Sequence, residues 1–310
     1  GEDPQAVAGC GCWGEAAQRY ERLAEDDAGN FGLKFNQGLC LAWSGQSLPA
    51  AEVLVQAAGL TEDTGLAGEC HALAQLLEMG ERDDAVRMID RRFEIENVSK
   101  WLSDLDSSER FVRVDEGDGA EGAPEGMYHL VDREVVSAAD AESLTLETVP
   151  RVAARLLVQA AADDQSAAMD LVAREGEEID SAEAALREVG DELAVPEDGA
   201  EETVDLVPQQ FEALYTTWHF APKTAESVKR RLHREFVQRF VEDIWPQTPL
   251  VALGGATPAA AAGQPDKRAA LAGAVAVLEV RCEQNMLVVD VPAIRQAMQL
   301  PEPAVLAVES

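Results

Sequence analysis

The amino-acid sequence predicts a mostly helical α+β protein, and three observations carry that prediction. A 34-residue self-similarity near the start has the period of paired helices. Over residues 101–195, short β-prone runs alternate with turn signals. After residue 205 the apolar residues return to a four-residue spacing. The expected division is helical hairpins over 1–100, a small α+β domain over 101–195 and a helical domain over 205–310.

Shifted by 34 residues, Ala16 falls on Ala50, Ala17 on Ala51, Tyr20 on Leu54 and Ala24 on Ala58. The run Phe35–Gly45, followed by Ala50, Leu54 and Ala57, reads as one helix–turn–helix unit. Gly38 lets two helices approach closely, Leu41 is the large residue facing it, and Gly45 ends the first helix. These residues resemble a tetratricopeptide repeat, with Gln37 departing from the usual large residue at its position. Trp13–Asp27 is similar to the second helix of a preceding repeat, whose first helix would lie before Gly1. That predicts an exposed apolar edge near Trp13 and Tyr20. Gly65–Met79 and Arg82–Arg92 are expected to form a degenerate third unit.

In the middle region, Phe111–Val114 and Met127–Val136 are expected to pair as a hairpin around an acidic, glycine-rich loop, Asp115–Gly126. Arg151–Ala162 leans towards helix on its length and alanine content, with Val152 and Leu156–Val158 keeping strand open. Met169–Arg174 reads as a strand, and Asp180 or Ser181 as the cap of a helix to Val189. Gly190–Asp205 reads as an acidic linker.

Further on, Phe211–His219 is expected to be a short helix. Thr224 opens a long one whose stripe is Val228, Leu232, Phe236, Phe240 and Ile244, stopped at Trp245-Pro246. Gly254-Gly255 predict a tight turn, and Thr257-Pro258 a capped helix start. Asp266–Glu283 and Ile294–Leu300 complete the helices, the last capped by Asp290. The run from Trp245 to Pro258, with its Thr-Pro-Leu-x-Ala-Leu-Gly-Gly-x-Thr-Pro core, resembles an element of uncharacterised bacterial multidomain proteins that carry tetratricopeptide or zinc-knuckle modules. Its shorter Leu-Gly-Gly-x-Thr-Pro form is similar to the C-terminal helical region of some antitoxins.

Composition restricts the function classes. The 310 residues carry 58 Asp+Glu against 25 Lys+Arg, a net charge of −33. Residues 1–210 hold −32 of it and residues 211–310 only −1. Such a surface repels phosphate, so nucleic acid is an unlikely partner, and it disfavours anionic lipid. Abundant carboxylates with five lysines also suit a salt-adapted cell. No apolar run is long enough to span a bilayer, and no signal peptide is expected. Five cysteines, an odd and sparse set, point to the bacterial cytoplasm rather than a disulfide scaffold.

No catalytic motif stands out, and no metal or cofactor is expected. Cys10-Gly11-Cys12 lacks the C-x₂-C spacing of common zinc sites. His71, His129, His219 and His233 form no ligand motif and read as packing or surface residues. The acid pairs Asp83-Asp84, Asp163-Asp164 and Glu177-Glu178 read as solvated faces. The expected role is therefore a non-enzymatic protein-interaction or scaffold protein. The tetratricopeptide resemblance implies a peptide or protein partner, with Phe35, Asn36, Leu39 and Trp43 on the helix that lines such a groove. A second candidate surface is the basic helix face Lys229, Arg230, Arg231 and Arg234, expected to dock on the acidic remainder of the chain. The alternatives are an enzyme with its site in the α+β region, or a nucleic-acid or toxin–antitoxin accessory acting through the C-terminal helices.

Overall fold

The computed structural model describes residues 3–79, 85–114, 124–161, 166–190, 193–194 and 201–301. The expectations for residues 82–84, 115–123 and 163–164 lie outside these residues. The fold is mostly helical α+β, as expected. The chain opens with five helices, α1 (Pro4–Gly9), α2 (Trp13–Asp26), α3 (Phe31–Trp43), α4 (Ser47–Ala58) and α5 (Thr64–Glu78). Strand β1 (Ala85–Glu94), helix α6 (Val98–Asp106), β2 (Phe111–Arg113), β3 (Gly126–Val131), β4 (Val152–Gln159), β5 (Ala168–Arg174), helix α7 (Glu177–Val189) and β6 (Glu201–Pro208) follow. Helices α8 (Glu226–Arg239), α9 (Pro258–Ala261), α10 (Arg268–Gln284) and α11 (Val291–Ala297) complete the described chain. No helix among the described residues is long and apolar enough to cross a membrane.

The chain divides into two compact units, residues 1–84 with 237–310, and residues 85–236. This differs from the three consecutive regions read from sequence. Residues 237–310 join the N-terminal helices instead of forming a domain with 205–236, and the division falls inside α8, after Phe236.

In the helical unit, α2 to α5 pack on their neighbours in chain order. The close approach expected at Gly38 is present: a Cβ there would lie 2.8 Å from Leu54 Cγ and 3.5 Å from the Ala50 carbonyl oxygen. The turn after α3 passes through Gly45 at φ +79°. At the start of the chain, α1 lays Val7 and Ala8 on Ala16, Ala17 and Tyr20, so Tyr20 is buried rather than part of an exposed edge. Trp13 is half-buried.

The third repeat unit is corrected. Its first helix exists as α5, but the segment read as its second helix is β1, which pairs with β5 on one side and β6 on the other. Ile89 and Phe93 alternate into the core there, a period of two that the run of charged residues between them masks. The partner of α5 is instead α10. A Cβ on Gly68 would lie 3.1 Å from Ala272 Cβ, one on Gly273 would lie 2.7 Å from His71 Cβ, and Arg281 touches Met79. The paired positions rise together, so α5 and α10 run parallel, unlike the two helices of a repeat. The segment ahead of α10 is a closed turn. The Gly255 N–H donates to the Leu250 carbonyl at 2.9 Å, and Lys267 Nζ to the Leu253 carbonyl at 3.2 Å. Thr257 Oγ1 caps the single turn of α9, accepting from the Ala260 N–H, and Asp290 caps α11.

The other unit holds an antiparallel sheet of order β2-β3-β4-β5-β1-β6. Arg151–Ala162, which leaned towards helix, supplies strand β4. Ala154, Leu156 and Val158 point inwards while β3 and β5 satisfy the strand's backbone on both edges. The end of the presumed linker is the edge strand β6. Helix α7 starts at Glu177, with Gly176 at φ +91° in the cap position, four residues ahead of Asp180. Phe211–His219 is a 3₁₀ segment over Gln209–Tyr215 followed by extended chain. Helices α6 and α7 cover one face of the sheet, burying Trp101, Leu105, Ile179 and Leu186 against Phe93, Tyr128, Leu156 and Leu171. On the same face Arg91 ties strand to helix and edge, reaching Glu183 at 2.6 Å, Glu201 at 2.8 Å and Asp180 at 3.3 Å.

Candidate functional site

Two places in the fold gather chemistry. The first is the α2–α3 surface of the helical unit. Asn30 starts α3, its side chain accepting from the Leu33 N–H, and the helix then projects Asn36, Leu39 and Trp43 at spacings of three and four residues, one side of a helix. Asn36 is exposed and donates to the Gly32 carbonyl at 2.8 Å, and Leu39 is half-buried. Trp43 is 70% exposed and stacks on Trp13, ring centroids 5.6 Å apart and planes 27° from parallel. Phe35 does not share this surface. It packs among Ala51, Leu54, Ala57 and Ala74, and stacks on Phe31. Three of the four residues expected on a partner surface thus stay together, and Trp13 joins them. Only the fold could add Trp13, because thirty residues separate it from its stacking partner.

The basic helix is partly spent on partners along itself and on the segment around Leu144. Lys229 pairs with Glu226 at 2.8 Å, and Arg231 pairs with Glu235 and donates to the Leu144 carbonyl at 2.9 Å. Arg230 and Arg234 are exposed and enter no ion pair among the described residues.

The second place is the sheet face opposite α6 and α7. Strand alternation sends His129, Arg155, Gln159, Asp170, Asp90 and Arg92 to that face. Asp170, buried on β5, lies directly across from Arg92 on β1 and accepts from its Nη1 at 3.0 Å and from Gln159 Nε2 at 2.7 Å. Asp90 sits one pleat along β1, with its Oδ1 buried and without a hydrogen-bond partner among the described residues. Burial, with the Asp170 and Glu202 carboxylates beside it, pushes its carboxyl up to about 6, against the pull of Arg92. Burial also raises Asp170, again opposed by Arg92.

At the other end of this face, His129 Nδ1 lies 3.1 Å from His219 Nδ1. Burial, the neighbouring His219 and Arg155 push His129 down to about 4, and burial lowers His219. Neither cluster is legible in the order of residues. Each histidine stands alone in the chain, and Asp90 is one charge in a charged run. Single positions on five different strands and loops become neighbours only through sheet register. Among the described residues no three His, Cys, Asp or Glu side chains gather to hold a metal. Set against protein-family models, curated proteins and solved structures, the chain matches none of them.

Proposed function

We propose that this protein binds a peptide or protein partner through the α2–α3 surface of a tetratricopeptide-like helical array, in a reducing bacterial cytoplasm. The observation that carries this reading is Trp43, 70% exposed yet held in a fixed orientation by stacking on Trp13. A large aromatic ring left open to water forgoes the burial that drives packing, and rigid tryptophans dominate binding energy at protein interfaces. The sequential packing of α2 to α5 and the close approach of Gly38 to α4 support the repeat-like array. The parallel α5–α10 pair is a departure from it. The local charge favours a basic partner segment: residues 1–79 hold 12 acids against 3 bases.

The test is quantitative capture from the native host at native salt, with wild type and Trp43→Ala side by side. Trp43→Ala, exposed and folded like wild type, is expected to weaken the captured complex about tenfold to a hundredfold. Equal recovery by both proteins would remove this surface from the interaction.

One observation favours a second reading, a catalytic site on the sheet. Asp90 and Asp170 are neighbouring carboxylates of different environment, an arrangement that suits acid–base work. Turnover on a panel of hydrolase substrates that is lost in both Asp90→Asn and Asp170→Asn would support it. No turnover by the wild type on that panel would count against it.

A further inference from the structure

Two imidazoles separated by ninety residues of chain meet on the open face of the sheet. His129 projects from the centre of β3, opposite Val112 on β2 and Arg155 on β4. His219 is carried on the extended segment after Tyr215. That segment is fastened to the start of β4: the His219 N–H donates to the Pro150 carbonyl at 2.9 Å, and the Val152 N–H donates to the Thr217 carbonyl at 2.9 Å. Both rings are therefore placed by main-chain pairing rather than by flexible loops. Their planes stand 88° apart, with Nδ1 facing Nδ1. His219 is only 7% exposed, and its Nε2 is buried without a hydrogen-bond partner among the described residues.

We propose that His129 and His219 form a two-imidazole binding site for a late first-row divalent cation, coordinated through both Nδ1 atoms. Imidazole nitrogens ligate such ions at about 2.0–2.1 Å. Two nitrogens 3.1 Å apart at that radius subtend about 95–102° at the ion, between the octahedral and tetrahedral angles. Coordination at Nδ1 places the proton on Nε2 of each ring, so the buried Nε2 of His219 keeps an unpaired N–H, a cost that the bond from Nδ1 to the ion must outweigh. The net charge of −33 draws cations to the chain, and the opposing Arg155 guanidinium is exposed and turned to Thr217 Oγ1 at 3.4 Å. With two protein ligands, water fills the remaining positions, and affinity follows the order Cu²⁺ above Ni²⁺ and Zn²⁺.

The experiment is a Cu²⁺ titration of the full chain in a Cys10→Ser, Cys12→Ser background, because both thiols are exposed and would take the same ion. Binding is read by electron paramagnetic resonance and by calorimetry. The expected result is one equivalent bound with hyperfine splitting from two nitrogens. Affinity should fall at least about tenfold in His129→Asn and in His219→Gln, and stay unchanged in His71→Ala and His233→Ala. Circular dichroism checks that each variant is folded. His129 is half-buried on the open face, so His129→Asn keeps the test decisive if His219→Gln fails to fold. No binding to the Cys10→Ser, Cys12→Ser chain, or binding that His129→Asn leaves intact, overturns the proposal and leaves a simple hydrogen-bonded histidine pair.

Discussion

Replacing Asp90 by Asn is expected to stabilise the protein at pH 7 by about 2 kcal/mol, and that gain should vanish near pH 4. Asp90 keeps its proton in the folded state up to about 6 and releases it near 3.8 when unfolded. Between those values the folded state binds more protons, so this group's contribution falls as pH rises through the window. Asn imitates the protonated acid and does not titrate. The full shift corresponds to about 3 kcal/mol, reduced here because the side chain is only half-buried. His129 acts in the opposite direction. It charges near 6.5 when unfolded but only at about 4 when folded, so its contribution is present above 6.5 and lost as pH falls towards 4. The two slopes oppose each other in wild type over nearly the same window. Urea melts from pH 4 to 7 check this. A difference between Asp90→Asn and wild type that is flat with pH would show that the carboxyl titrates normally. A group that costs stability at neutral pH and is nevertheless present also bears on the catalytic reading, since active sites commonly hold such groups.

The second large effect is expected at the α5–α10 crossing. Gly273→Ala should destabilise the helical unit by about 2 kcal/mol or more. A Cβ at Gly273 would sit 2.7 Å from His71 Cβ, 2.8 Å from the Ala72 nitrogen and 2.9 Å from the Gly68 carbonyl oxygen. Those are main-chain or Cβ atoms, which move only if the whole helix moves. The alanine gains about 1 kcal/mol in helix propensity, but overpacking of a tight contact costs about 1–3 kcal/mol and here has no side chain to yield. Gly38→Ala meets Leu54 Cγ at 2.8 Å, the end of a side chain that can rotate, so a smaller loss is expected there. Gly32→Ala meets only Asn30 Oδ1 at 3.5 Å and should stabilise α3 slightly. Denaturant midpoints in that order, Gly273→Ala lowest and Gly32→Ala highest, are the result that checks the account. A Gly273→Ala protein as stable as wild type would mean that α5 and α10 are not packed this closely.

Elements with local signals were legible in the amino-acid order alone. Gly38, Ala50 and Leu54 marked a close helix pair, Gly45 its turn, Asp290 and Thr257 their caps, and Phe111 and Met127–Val131 a hairpin, because these depend on residues within a few turns of one another. It also located Asn36, Leu39 and Trp43 on one helix face, since the period of 3.6 is a property of the chain. Every pairing across distance came from the folded chain. Ala85–Glu94 and Val152–Gln159 became strands because neighbours on both edges satisfied their backbones, which outweighs a weak local preference for helix. The face of α5 was closed by α10, some two hundred residues on, through glycines with no periodicity of their own. The Asp90–Asp170 and His129–His219 neighbourhoods followed from sheet register, which sets side chains a few ångströms apart with no trace in the order of residues.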